Sequence, residues 1–193
     1  GNSSSGKMGV AIAKAFARQG AGVELIMGPA GLDTRFPEIH TTHINTAAEM
    51  DAMCQKAFPD VDIAVMAAAI ADFTPAKPAA EKIKKATGPE AIPLKPTNDI
   101  LASLGKVKKQ GQLLIGFALE TENELANAQK KLRKKNLDMI VLNSLKDKGA
   151  GFGTDTNKIT LLTRNDAPQS FPLKTKDAVA LDILSAIKSL MEG

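Results

Sequence analysis

The chain contains no tryptophan and no tyrosine, one cysteine and two histidines among its 193 residues. Aromatic residues make up only 4%, so the core has to be assembled from Ala, Val, Ile, Leu and Met. That palette suits helices packed closely on a parallel sheet. The same shortage removes the stacking platforms that hold single-stranded nucleic acids, which argues against such a partner despite the Lys-rich clusters. The lone cysteine, Cys54, excludes an intrachain disulfide and points to a reducing, cytoplasmic setting. It falls on the apolar stripe of an expected helix, which reads as burial and not as catalysis. His40 and His43 are too few to build a zinc site, and no G-x-S-x-G elbow is present. No apolar run is long enough to span a bilayer and no signal peptide is visible, so no membrane role is expected.

What is present is mildly basic, with a formal net charge of +4 and an isoelectric point near 9.1. The length suits one α/β domain with at most a small appended subdomain. An anionic small molecule fits that balance. The place to receive it is the start of the chain, Gly1-Asn2-Ser3-Ser4-Ser5-Gly6-Lys7-Met8-Gly9, which runs directly into an Ala-rich helix. Small and hydroxyl residues let the backbone approach an oxyanion, while the free N–H groups and dipole of the first helical turn favour its charge. Gly1 to Lys7 spells a P-loop up to its last position, but Met8 stands where Ser or Thr would ligate magnesium. The dinucleotide fingerprint is also incomplete, with only Gly6-x-x-Gly9 present.

Hydrophobic periodicity and turn signals divide the rest. Helices are expected at Lys7 to Gln19, Thr46 to Phe58, Asp99 to Lys109, Asn123 to Lys135 and Lys176 to Met191, with Thr46 and Glu49 forming a capping box and Thr175 capping the last. Strands are expected at Gly22 to Met27, Ile39 to Asn45 (an edge), Asp62 to Ala68 (buried on both faces), Gln112 to Ala118 and Leu137 to Leu142. Lys158 to Thr163 and Ser170 to Leu173 read as an antiparallel pair, after a Gly-rich loop at Gly149 to Gly153. The alternation predicts a Rossmann-like, doubly wound, mostly parallel α/β sheet. It is broken by a Pro-rich insertion from Ala71 to Pro96, an arm at about residues 73–97 carrying Glu81-Lys82-Ile83-Lys84-Lys85. In such sheets ligands sit beyond the carboxyl ends of the strands. Ala67 to Asp72, Phe117 to Glu120 and Asn143 fall on the edge where the serine loop would lie.

Each candidate has a bland reading beside a functional one. Asp72 follows small residues that would let a ring or sugar lie on the backbone, but it also reads as a loop cap. Lys82 is either part of a solvated charge run or a point charge aimed at a phosphoryl group. Lys131 and Lys135, spaced i, i+4, either face solvent or grip a polyphosphate together. Phe117 either packs in the core or stacks on a base.

Seven blocks in order carry a resemblance over nearly the whole chain: Asn2 to Gly9, Ala68-Ala69-Ile70-Ala71-Asp72-Phe73, Glu81 to Lys85, Asn98-Asp99-Ile100-Leu101, Gly116 to Thr121, Lys134-Lys135-Asn136-Leu137-Asp138 and Gly151 to Asn157. Together they resemble the phosphopantothenoylcysteine synthetases (phosphopantothenate–cysteine ligases) of the bacterial, CTP-dependent type. The resemblance implies a ligation in coenzyme A biosynthesis. The carboxylate of 4′-phosphopantothenate attacks CTP to give an acyl-cytidylate and pyrophosphate, and the amine of cysteine then displaces CMP. It implies Asn2 and Lys82 as catalytic residues. It implies a CTP site from Ser4, Ser5, Gly6, Lys7, Met66, Ala67, Ala68, Asp72, Lys82, Asn98, Asp99, Ile100, Leu101, Phe117, Lys131 and Lys135. It also implies magnesium carried by CTP, no protein metal site, and a homodimer joined partly through the arm. Asn98 stands where many relatives have Pro, and Ser3 where His is frequent. Because such units are often fused behind a flavin-dependent decarboxylase, an N-terminal strand and an upstream, FMN-binding domain are expected outside this stretch. An NAD(P)-dependent Rossmann reductase and a non-catalytic nucleotide sensor are the alternative readings.

Overall fold

The computed structural model of the chain describes residues 4–77, 91–120, 122–144 and 154–192. Helix α1 (Lys7–Ala17) leads to strands β1 (Val23–Met27) and β2 (Ile39–His43), helix α2 (Ala47–Ala57), a 3-10 turn at Phe58–Asp60 and strand β3 (Ile63–Met66). Short strands β4 (Phe73–Pro75) and β5 (Leu94–Pro96) pair antiparallel at the base of the Pro-rich insertion. Then follow α3 (Ile100–Val107), β6 (Leu113–Glu120), α4 (Glu124–Lys134) and β7 (Met139–Ser144). The chain closes with β8 (Thr156–Asn157), β9 (Ile159–Thr163), β10 (Gln169–Ser170), β11 (Lys174–Thr175) and α5 (Lys176–Glu192). The Glu81–Lys85 run and the Gly149–Gly153 loop lie outside the described residues.

Local chemistry explains the boundaries. Thr46 Oγ1 accepts from the Glu49 N–H at 3.1 Å, and Glu49 Oε2 accepts from the Thr46 N–H at 3.2 Å, so α2 opens with the expected capping box. Asp99 caps α3 by accepting from the Ala102 N–H at 3.0 Å. Gln112 is buried; its amide donates to the carbonyls of Phe58 and Val61 at 2.8 and 2.7 Å. The turn after α2 is thereby tied to the start of β6 across the sheet.

Five strands form one sheet in the order β10-β9-β7-β6-β3, with β3, β6 and β7 parallel and β9 and β10 antiparallel at the far edge. Strands β1 and β2 form a separate parallel pair. Helices, not strand hydrogen bonds, join the two. On one face α1 touches β1 and β2 while Ala11, Ile12 and Ala15 share a core with Ile115, Val141 and the α5 residues Val179, Ala180 and Ile183. On the other, Met50, Cys54 and Phe58 share a core with Leu104, Leu114 and Ile140, and Ile26 of β1 packs against it. The expected doubly wound, mostly parallel sheet is thus met, among the described residues, as a parallel β1–β2 pair and a five-stranded piece whose β3, β6 and β7 are parallel. The expectation that β3 is buried on both faces is corrected: all four of its residues are only half-buried. A cavity of about 710 Å³ runs beside them, with residues 24–27 lining its other side.

Two glycines set the spacing around β6. A Cβ at Gly116 would lie 2.7 Å from Leu101 Cδ2, so α3 presses directly on the strand. A Cβ at Gly105 would lie 1.9 Å from the backbone oxygen of Lys135, and Asn136 Nδ2 donates to the Gly105 carbonyl at 2.7 Å. Helix propensity alone would favour Ala over Gly there by about 1 kcal/mol. A backbone oxygen cannot swing aside, so the clash decides the sign. Gly105→Ala should destabilise the fold by about 3 kcal/mol, lowering the melting temperature by roughly 6–12 °C for a chain of this size. An unchanged or raised melting temperature would show that α3 slides freely over the α4–β7 turn.

Candidate functional site

The serine turn leads into α1 through Gly6, held in the left-handed region at φ 74°. No side chain among the described residues caps the helix, so its first-turn N–H groups and positive dipole end can face an anion. A Cβ at Gly6 would meet Leu32, Ala30 and Met27 at 3.4–3.5 Å, which seats the turn against the carboxyl end of β1.

Beside it stand two ammonium groups. Lys7 Nζ pairs with Asp155 at 2.5 Å. Lys176, the first residue of α5, is 8% exposed; its Nζ donates to the Thr154 carbonyl and its backbone N–H to the Asp155 carbonyl at 3.0 Å. Burial, reinforced by the charge of Lys7, holds the Lys176 ammonium below the ordinary lysine range, with Asp155 opposing. Asp155 itself is held below the usual carboxylate range, chiefly by the hydrogen bond from Lys7. Next along the wall, buried Asn157 donates through Nδ2 to Asn143 Oδ1 at 3.0 Å. Ser4, Ser5, Gly6, Lys7, Met66, Ala67, Ala68, Phe117, Asn143, Asn157 and Lys176 all line the one cavity. Thr97 also lines it, and its buried Oγ1 has no hydrogen-bond partner among the described residues.

The remaining sequence candidates gather elsewhere. Asp72 is exposed and lies outside the cavity wall, its carbonyl accepting from the Thr97 N–H at 2.8 Å. Asn98 Nδ2 donates to Asp51 at 3.1 Å. Ile100 is 3% exposed in the core and Leu101 packs against that core, so this stretch can offer a ligand mainly its backbone. Lys135 follows α4 as its C-cap instead of standing within it, and its Nζ pairs with Asp99 at 2.8 Å. Burial pushes the Asp99 carboxyl up, but the hydrogen bonds from Lys135 and the Ala102 N–H, with the charges of Lys135 and Lys134, hold it below its ordinary value. Lys131 pairs with Glu120 at 2.5 Å. Both lysines of the expected polyphosphate grip are therefore already held by carboxylates. Asn2 and Lys82 lie outside the described residues.

The sequence reading missed Lys176 and Asn157 as site residues. Nothing in the local charge pattern separates Lys176 from the other lysines; only the fold, which starts α5 beside α1, buries it at the cavity. Cys54 also touches the cavity, but burial first, and then the charge of Asp51, push its thiol up to about 11, which suits a packed side chain and not a nucleophile. Among the described residues no three His, Cys, Asp or Glu side chains group to hold a metal ion. No helix is long and apolar enough to cross a membrane among the described residues.

The family model described as the DNA/pantothenate metabolism flavoprotein C-terminal domain matches residues 1–191. A cysteine/cysteine sulfinic acid decarboxylase from an unknown prokaryotic organism is 52% identical over 98% of this chain and 53% of its own length. The coenzyme A biosynthesis bifunctional protein CoaBC of Bacillus subtilis is 42% identical over 98% of this chain and 46% of its own. The chain thus spans about half the length of these relatives. The crystal structure of a CoaBC C-terminal domain matches with a TM-score of 0.82 at 37% identity, over 98% of this chain and 84% of that one. A Cab2 mutant complexed with phosphopantothenate-cysteine shares the fold, with a TM-score of 0.71 at 15% identity.

A bare helix start flanked by two lysines should hold an anion. Inorganic triphosphate should bind the chain, and Lys176→Met should weaken that binding about tenfold, the loss of one charge-assisted hydrogen bond. Lys188→Met, on the exposed flank of α5, should leave it unchanged. Calorimetric titration of the three proteins checks this; equal affinities would remove Lys176 from the site.

Proposed function

Because this chain belongs to the family of DNA/pantothenate metabolism flavoprotein C-terminal domains, we propose that it ligates cysteine to 4′-phosphopantothenate in coenzyme A biosynthesis, using CTP. In the first step the phosphopantothenate carboxylate attacks the α-phosphorus of CTP. An acyl–oxygen–phosphorus bond forms and pyrophosphate leaves. In the second, the cysteine amine attacks the acyl carbon, the amide forms, CMP departs and the amine loses a proton.

The observation that carries the reading is the meeting, in one cavity at the carboxyl ends of the parallel strands, of the serine turn, residues 66–68, Phe117 and the ammonium groups of Lys7 and Lys176. The uncapped α1 start and the Ser4 and Ser5 hydroxyls would cradle phosphate oxygens, with Lys7 and Lys176 offsetting their charge. The small residues after β3 would let the nucleoside lie on backbone, with Phe117 beside the ring and Asp72 accepting hydroxyls. Lys131 and Lys135 would exchange Glu120 and Asp99 for the triphosphate. Lys82 would stabilise charge on the α-phosphoryl group and Asn2 would handle the acyl-cytidylate. Magnesium would travel with CTP, the insertion would mate with a second copy, and the enzyme would work in the cytoplasm. We place decarboxylation, the activity in one relative's name, in the half of such proteins that this chain does not cover, where FMN would bind.

A dehydrogenase reading is disfavoured by Met27-Gly28-Pro29 at the end of β1, where an acidic side chain would hold a ribose. With CTP, magnesium, phosphopantothenate and cysteine, the protein should release CMP and pyrophosphate in equal amounts. Lys82→Ala should lower pyrophosphate release by about 100-fold or more, the scale of losing one group that stabilises a transition state, and Asn2→Asp should let acyl-cytidylate accumulate. CTP binding without CMP release would make the chain a nucleotide sensor, and a thermal shift with NADPH but not CTP would restore the reductase.

A further inference from the structure

Lys135 ends α4, yet its ammonium lies at the start of α3. The backbone closes α4 with two bonds, the Asn136 N–H donating to the Arg133 carbonyl at 3.3 Å and the Leu137 N–H to the Leu132 carbonyl at 3.0 Å. Asn136 sits in the left-handed region at φ 55°, a place usually given to glycine because a side chain there is strained. Here the side chain is used. Its Nδ2 donates to the Gly105 carbonyl in the last turn of α3 at 2.7 Å, and its Oδ1 accepts from Arg164 Nη2 at 2.6 Å. Arg164, just after β9, also donates through Nε to the Leu137 carbonyl at 2.7 Å. The Lys135 carbonyl lies so close to Gly105 that a Cβ there would be 1.9 Å from its oxygen.

From that anchor at one end of α3 the Lys135 side chain runs back towards the other, where Nζ meets both Asp99 carboxylate oxygens at 3.0 and 2.8 Å. Helix stability does not ask for a cation there. The start of a helix carries partial positive charge, and Asp99 already caps α3 through the Ala102 N–H, so the ammonium is set against the dipole. An anion arriving at that spot meets the dipole and the ammonium together. We infer that Asn136 and Arg164 are positioning residues, clamping the α4–β7 turn to α3 so that the Lys135 ammonium is aimed at the α3 start to receive the triphosphate. What the ammonium receives rests on the ligase reading; the clamp itself rests on the contacts alone. Without it the Lys135 backbone would move with the turn, and a long side chain would have to be ordered anew at each binding event. Glycine at position 136 would close α4 with less strain, but both side-chain bonds would be unmade.

Asn136→Gly keeps the left-handed turn and removes the clamp, Lys135→Met removes the ammonium, and the double variant closes a cycle with the unaltered protein. Two readouts separate clamp from ligand. The first is the titration of the Asp99 carboxyl, followed by NMR without nucleotide. Burial pushes that carboxyl up, and the hydrogen bond from Lys135 is foremost in holding it down, so Asn136→Gly should raise it towards its value in Lys135→Met. The second is the dissociation constant of CTP, measured by calorimetry. Lys135→Met should raise it about tenfold, the loss of one charge-assisted hydrogen bond. Asn136→Gly should raise it about fivefold, the cost of immobilising one freed side chain, and the double variant no further than Lys135→Met alone. An Asp99 titration unmoved by Asn136→Gly overturns the clamp, and so do CTP losses that multiply in the double variant. A lowered melting temperature with both readouts unmoved also overturns it, leaving Asn136 a purely structural bond. If Asp99 moves while CTP binds all four proteins equally, the clamp is supported and the triphosphate reading is what fails.

Discussion

The seam between the first and last helices is the contact on which the rest of the structure depends. Ala11, Ile12 and Ala15 of α1 meet Val179, Ala180 and Ile183 of α5, and the small alanines let the two axes come close. Because both helices begin at the same rim, this packing brings two positive dipole ends and the side chains of Lys7 and Lys176 to one place. The Thr154–Asp155 pair then ties them, one residue taking Lys176 and the next Lys7. Burial of apolar surface is non-directional, yet here it fixes the direction of an electrostatic field. The positive rim is a consequence of core packing, not a separate device.

The same economy governs the two sheet pieces. Neither α1 nor α2 contributes a ladder hydrogen bond, but each covers the boundary between β1 and β3 from its own side. Residues such as Leu114, Ile140 and Val141, almost wholly buried, anchor the five-stranded piece. Among the described residues the β1–β2 pair is joined to that piece through helix packing and not through strand pairing. Local stability should therefore fall from β7 towards β2, and the serine turn sits on the weaker side of that gradient.

Much of this was legible in the sequence, because helix and strand periods differ and caps are written in single residues. Thr46 with Glu49 marked the start of α2, and Asp99 the start of α3; both behave as local chemistry requires. The parallel α/β class followed from alternation, and the serine turn from its small and hydroxyl residues. What sequence could not give is what depends on neighbours distant in the chain. Lys176 is buried only because α5 returns to α1; Lys188 of α5 donates to Gln19, in the turn just after α1, across 169 residues of sequence. The spacing of Lys131 and Lys135 suggested a free pair of charges, whereas tertiary packing delivers each to a carboxylate. The apolar run of β3 read as a strand buried on both sides, and nothing local could reveal that the cavity runs beside it.

Those two occupied lysines bear on how a polyphosphate would be received. A free lysine is mobile and must lose side-chain entropy when it binds, while one held by a carboxylate has already lost much of it. Glu120 and Asp99 keep the two ammonium groups on the flank facing α3 and the end of β6. Asp99 stays charged at neutral pH, since Lys135 and the Ala102 N–H hold it below its ordinary value even though burial pushes the other way. Each pair joins a more open partner to a more covered one, Lys131 at about 44% exposure with Glu120 at about 13%, and Asp99 at about 51% with Lys135 at about 22%. A phosphate offers each lysine more acceptor oxygens and more charge than its carboxylate does. On the proposed reading, Lys131 and Lys135 would leave Glu120 and Asp99 for the phosphates, and the carboxylates would recapture them when the phosphates departed.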